Sequence, residues 1–123
     1  MVDQFTVDGV YETPYAFENS RCEGLKAIRQ RFAMVSASAW NKAVTIDNVT
    51  VKNTPTQELS TVVVEFFIIG TRRTDGEPFN FPSSTAIIHT RDGCITHYQD
   101  YPNMLGIARS ADILEQFAQT LKT

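Results

Sequence analysis

Asp92-Gly93 constrains the fold of this chain more than any other pair of residues. A two-residue turn between paired strands needs positive φ, which glycine supplies without steric cost and aspartate tolerates. Thr85-Ala86-Ile87-Ile88-His89-Thr90 precedes it and Cys94 to Tyr101 follows, so the dipeptide predicts an antiparallel hairpin. Pro102 has no N–H for a ladder and ends the second strand. Asp100 therefore stands near the end of a paired strand, in an otherwise apolar and aromatic segment. An acid there either binds backbone donors at the strand end or has a chemical task.

Strand-like runs fill the middle of the chain. Ala43 to Val51 alternates, with a bulge expected at Asp47-Asn48. Thr54-Pro55-Thr56 is a turn, and Leu59 to Thr71 is a long strand rich in β-branched and aromatic residues. Thr74-Asp75-Gly76-Glu77 turns it into a strand over Phe79 to Thr90. Helical spacing is confined to the two flanks. Over Glu23 to Met34, Leu25, Ile28 and Phe32 share one face, with Lys26, Arg29 and Arg31 turned away. Ser110 to Leu121 reads as one C-terminal helix with Ser110 as its N-cap. At the start, Val2-Asp3-Gln4-Phe5 reads as a last helical turn and Gly9 to Thr13 as a short strand stopped by Pro14. Glu18-Asn19-Ser20-Arg21 is a polar turn. Helices near both ends with antiparallel strands between them predict an α+β fold, one long curved sheet wrapping a helix around a cavity.

At 123 residues the chain is expected to be one domain, spanning 1–123. Such a domain buries about two-thirds of its unfolded surface. A net charge of −3 offers no electrostatic case for nucleic acid or an anionic membrane. The longest apolar run, Val62 to Ile69, is interrupted by Glu65 and falls far short of the ~20 residues of a membrane span. The N-terminus has no basic segment followed by an apolar one, so a cytoplasmic location is expected. Cys22 and Cys94 fit no metal or redox spacing and are read as reduced thiols. There is no Gly-rich phosphate loop, no metal-ligand cluster and no nucleophile elbow, so no cofactor or metal is expected.

The order of elements resembles the nuclear-transport-factor-2-like superfamily, whose cone-shaped fold is that of ketosteroid isomerase. Within it the chain is most similar to SnoaL-like polyketide cyclases and phenazine biosynthesis A/B proteins. The residues that carry the likeness are Phe5-Thr6-Val7-Asp8-Gly9-Val10-Tyr11-Glu12, Gly24-Leu25-Lys26-Ala27-Ile28-Arg29, Val63-Val64-Glu65, Gly70, Asp75-Gly76 and Asp92-Gly93-Cys94-Ile95. Tyr98-Gln99-Asp100-Tyr101, closed by Asn103, completes it. The likeness implies a mixed curved sheet wrapped around helices. It also implies about one more helix before the segment that starts at Met1, so either the chain starts late in the gene or a partner subunit covers the gap. It is specific for fold and weak for chemistry, because this superfamily hosts many unrelated activities.

Asp100 matches the position at which many such relatives carry an acid/base carboxylate. A carboxylate in an apolar pocket has its charged form disfavoured, which lifts its pKa toward a range useful for proton transfer. Glu65 shares a face with Val63, Phe67 and Ile69 on strict alternation, so it either enters a wet cavity or meets Arg72, Arg73 or Arg91. His89 depends on the turn. A two-residue Asp92-Gly93 loop pairs 91 with 94 and puts His89 on the face of Thr96, Tyr98 and Asp100; a three-residue loop with a bulge sends it to the opposite face. On the shared face His89 is either an acid/base partner of Asp100 or a structural histidine. His97 is exposed or interfacial. Tyr98 is the candidate hydrogen-bond donor to a ligand oxygen, and Phe67 a wall residue. The likeness places Tyr15 and Trp40 near the mouth of the cone, and Met34 and Met104 could form adaptable walls. Phe17, Phe79, Phe81, Tyr11 and Tyr101 are read as core or interface.

The resemblance also argues against one chemistry. Limonene-epoxide-hydrolase-like relatives need an arginine two residues before a strand acid, and here Val63 precedes Glu65. The leading expectation is a cofactor-independent isomerase or cyclase, with Asp100, Glu65 and His89 as candidate catalytic groups acting on an apolar, carbonyl-bearing substrate. The alternative is a non-catalytic ligand-binding or dimerisation module. A homodimer through the outer sheet face is expected from the fold, with Phe66, Ile68, Thr45 and Thr50 as candidates for that face.

Overall fold

Among the described residues six strands carry the fold: β1 (Phe5–Thr13), β2 (Ser20–Glu23), β3 (Val44–Pro55), β4 (Thr61–Arg72), β5 (Pro78–Arg91) and β6 (Cys94–Pro102). The computed structural model describes residues 2–16 and 20–122, so Phe17 and the turn residues Glu18 and Asn19 lie outside the described residues. The strands form one mixed, curved and open sheet in the order β2-β1-β6-β5-β4-β3. All neighbours are antiparallel except β1 and β6, which run parallel. Four α-helices accompany the sheet among the described residues: α1 (Leu25–Ser36), α2 (Ala39–Ala43), α3 (Met104–Ser110) and α4 (Leu114–Thr120). The expected turn at Ser20-Arg21 is instead the start of β2, paired with Thr13 and Glu12.

Asp92 (φ 53°) and Gly93 (φ 79°) both have positive φ, and Arg91 faces Cys94, so the hairpin loop holds two residues. The register does not then run straight. Thr90 faces Ile95 but His89 faces His97, which leaves Thr96 as an extra residue in β6. Its hydroxyl donates to the His89 carbonyl at 3.2 Å, which replaces a lost ladder bond. Ser83 is the extra residue of β5, and its hydroxyl donates to the Phe66 carbonyl at 3.2 Å. A third irregularity falls at Asp47, where a bulge is expected from the sequence.

α1 lies on one face of the sheet. Its apolar stripe seats Ile28, fully buried, against Phe5, Tyr11, Val64, Ala86, Ile88 and Tyr98. Burying a side chain of that size contributes about 2 kcal/mol. Leu25 and Phe32 pack on the same cluster, as the helical spacing predicts.

The C-terminal segment departs from expectation. Ser110 ends α3 rather than capping a longer helix. Ile113 N–H bonds to the Ala108 carbonyl and Asp112 N–H to the Arg109 carbonyl, with Asp112 left-handed at φ 59°. This paired closure of a helix C-terminus cannot continue as a helix. The Ser110 hydroxyl accepts from Trp40 Nε1 at 2.8 Å and donates to the Ile107 carbonyl at 2.7 Å, so it caps nothing.

Candidate functional site

β6 presents Tyr98 and Asp100 toward α1, and β1 presents Tyr11 beside them. With Phe32, Val35 and Ser36 of α1 they line a cavity of about 250 Å³. Tyr11 stands edge-to-face with Phe32 at 5.1 Å between ring centroids and tilted against Tyr98 at 5.3 Å. The Tyr11 hydroxyl donates to Asp100 Oδ2 at 2.5 Å. Asp100 Oδ1 is buried and has no partner among the described residues. Burial pushes the Asp100 carboxyl above the usual range, and the Tyr11 bond only partly offsets this. Burial and the neighbouring Asp100 charge likewise push the Tyr11 and Tyr98 phenols upward, so both remain donors at neutral pH. The arrangement is an apolar corner holding one acid and two phenols. It can exchange a proton and donate hydrogen bonds to an oxygen.

The sequence-predicted residues divide between two faces. Asp100 and Tyr98 are together in the cavity. His89 is not with them. The bulge at Thr96 turns it to the outer face opposite His97, ring centroids 5.6 Å apart, with Nδ1 3.1 Å from the Thr61 hydroxyl. The two-residue turn is present, but a slip of one residue beyond it reverses the face. Glu65 and Phe67 also lie outside. Val62, Val64 and Phe66 pack on the core cluster, so the alternating set Val63, Glu65, Phe67 and Ile69 faces away from α1. Phe66 and Ile68, expected on the outer face, are therefore inner residues, whereas Thr45 and Thr50 pair with Thr71 and Phe67 on the outer one.

The mouth residues separate too. Tyr15 is 85% exposed and meets Tyr101 edge-to-face, ring centroids 4.7 Å apart. Met34 is 70% exposed, on the helix face turned from the cavity. Trp40 is engaged with Ser110. Phe79 and Phe81 line a different, polar cavity of about 640 Å³ beside α3. There the Arg72 guanidinium is spent on the Ser110 and Arg109 carbonyls and on Asp75.

Tyr11 is the site residue that sequence reasoning missed as such. Only the parallel pairing of β1 with β6 brings it to Asp100, and no turn signal marks such a pairing. Outside, the same strands hold a polar cluster. Glu12 lies 2.7 Å from His97 Nε2 and accepts from Gln99 at 3.4 Å and Arg21 at 3.3 Å. Burial opposes ionisation of Glu12, but these bonds outweigh it and hold its carboxyl below the usual range. Among the described residues no three His, Cys, Asp or Glu side chains are grouped to hold a metal ion, and no helix is long and apolar enough to cross a membrane.

A family model for the SnoaL-like domain matches residues 1–98. The chain belongs to this family. Asp100 lies just past the end of the match. No curated protein matches the sequence. Among solved structures, this SnoaL-like domain is similar to a candidate isomerase from Bacillus subtilis, with TM-score 0.70 and 26% identity over 91% of this chain and 78% of that one. A protein of ketosteroid isomerase-like fold from Catenulispora acidiphila, solved in complex with trimethylamine, gives TM-score 0.65 and 23% identity over 94% and 82%. A candidate polyketide cyclase from Xanthomonas campestris gives 0.62 and 20% over 90% and 82%. The last two likenesses show the fold alone, which is the ketosteroid isomerase-like one expected from the sequence.

Proposed function

We propose that this SnoaL-like domain binds a small, largely apolar, carbonyl-bearing molecule between α1 and the sheet and moves a proton on it with Asp100. The observation that carries the reading is an acid in an aromatic corner, one oxygen held by Tyr11 and the other without a partner among the described residues. Ionised Asp100 takes a proton from the carbon α to the carbonyl. The electron pair passes to the carbonyl oxygen, which accepts a hydrogen bond from the Tyr98 phenol. Asp100 then returns the proton to a second carbon, completing an isomerisation, or the enolate carbon attacks a second carbonyl carbon of the same molecule, closing a ring while Asp100 passes its proton to the alkoxide oxygen formed there. The Tyr11 bond leaves Oδ1 as the proton-carrying atom and partly restrains the rise in pKa caused by burial. The names given to the Bacillus and Xanthomonas neighbours support the same class of chemistry.

The test needs no known substrate. A panel of cyclic ketones is incubated in D2O, and deuterium uptake at the α carbon is followed by NMR. Uptake is expected with the wild-type chain and at least ~100-fold slower with Asp100→Asn. Equal uptake by that variant ends the proposal. A second reading is binding without turnover, favoured by the small amine held by the Catenulispora neighbour. It predicts saturable ligand binding with no deuterium uptake. We further propose that two copies pair through the outer face that carries Phe67, Ile69 and the Glu12–His97 cluster.

A further inference from the structure

We infer that the Asp100 pocket accepts a small alkylammonium cation, its methyl groups against Tyr11, Phe32 and Tyr98 and its charge on Asp100 Oδ1. This goes beyond proton transfer to a ketone and requires only the pocket. Three observations lead to it. Asp100 makes no ion pair with any described residue, so a half-buried acid with one fully buried oxygen stands without a countercharge among them. A carboxylate in that position recruits either a proton or an incoming cation. The walls around it are aromatic rings, with Tyr11 and Phe32 at 85° to one another. Ring faces attract alkylated ammonium ions, whose methyl groups also bury apolar surface. The cavity of about 250 Å³ sets the three rings and Asp100 around one space that a compact head group fits.

The charges balance simply. A ligand arriving as the cation displaces the Asp100 proton to solvent. A ligand arriving as the free amine receives that proton on nitrogen. The groups facing Asp100 are Tyr11 from β1, Tyr98 from β6 and uncharged Ser36 from α1, with Ala86 opposite on β5. Arg31 of α1 acts on Tyr11, and its charge is the nearby one that opposes a bound cation.

The probes are trimethylammonium chloride and tert-butanol, a neutral molecule of the same shape, titrated into the full chain and followed by NMR of the aromatic ring signals. Trimethylammonium is expected to bind saturably, shifting the Tyr11, Phe32 and Tyr98 rings. Its affinity rises about tenfold per pH unit below the Asp100 titration and levels off above it. Asp100→Asn is expected to weaken it at least tenfold, and Phe32→Leu severalfold with the pH dependence kept. Phe32→Leu also serves if the Asp100 variant does not fold. Equal binding of tert-butanol, pH-independent binding of the amine, or no saturable shift of the three rings would each overturn the inference. Failure of the proton-transfer reading is seen separately, in the deuterium uptake of the ketone panel.

Discussion

Asp100 is asked to stay folded and to stay reactive, and the two demands oppose each other. Its folded pKa is raised, so the folded state binds its proton more tightly than the unfolded chain does. The sign follows directly. This contribution to stability is fully present below the unfolded carboxylate value of about 4 and is lost as pH rises through the higher folded value. Asp100→Asn should therefore equal or exceed the wild-type thermal midpoint at pH 8 while losing the advantage at pH 3.5. A lower midpoint for the variant at pH 8 would show that the carboxylate stabilises the fold. Tyr11→Phe removes the one side-chain donor to Asp100 among the described residues. The Asp100 titration, read from its side-chain carboxyl 13C shift, should move further up, and the fold should lose about 1–2 kcal/mol. Asp100 was legible as a candidate because an acid in an apolar strand is a local anomaly. Tyr11 was not, because its aromatic ring looks like any core residue until its neighbour is known.

At the scale of elements, α1 was legible because helical spacing is a property of consecutive residues. Leu25, Ile28 and Phe32 do pack as that spacing requires. The broken C-terminal helix was not, since Asp112 resembles an ordinary helix residue until it is found left-handed. Asp112→Gly should preserve that closure and change stability by no more than about 1 kcal/mol, whereas Asp112→Val should cost more, about 1–2 kcal/mol. Chemical denaturation of both variants separates them. β4 offers a harder constraint. A Cβ on Gly70 would lie 2.2 Å from the Thr45 carbonyl oxygen and 2.7 Å from Phe79. Gly70→Ala must push β3 away from β4, and a loss of about 1–3 kcal/mol is expected by the same measurement.

For the whole molecule, the decisive geometry is the parallel pairing of β1 and β6, the second and third strands of the sheet. It joins Tyr11 to Asp100 across 89 positions of sequence on one face, and Glu12 to His97 across 85 on the other. If copies pair through the outer face, mass measured against concentration should rise toward twice 13.8 kDa, and Phe67→Lys should hold the chain at the monomer mass without altering ketone exchange. A monomer at all concentrations would remove that pairing.

The sequence by itself determined the turns at Asp75-Gly76 and Asp92-Gly93, the long strands, the first long helix and the acid in its apolar setting. All of these follow from neighbours in the chain: glycine at positive φ, proline at strand ends, the periods of helix and strand. Only the tertiary structure decided which face each side chain takes. Face assignment accumulates along a strand, and one extra residue reverses it. Thr96 is that residue in β6, and it puts His89 outside with His97 while Asp100 stays inside with Tyr11.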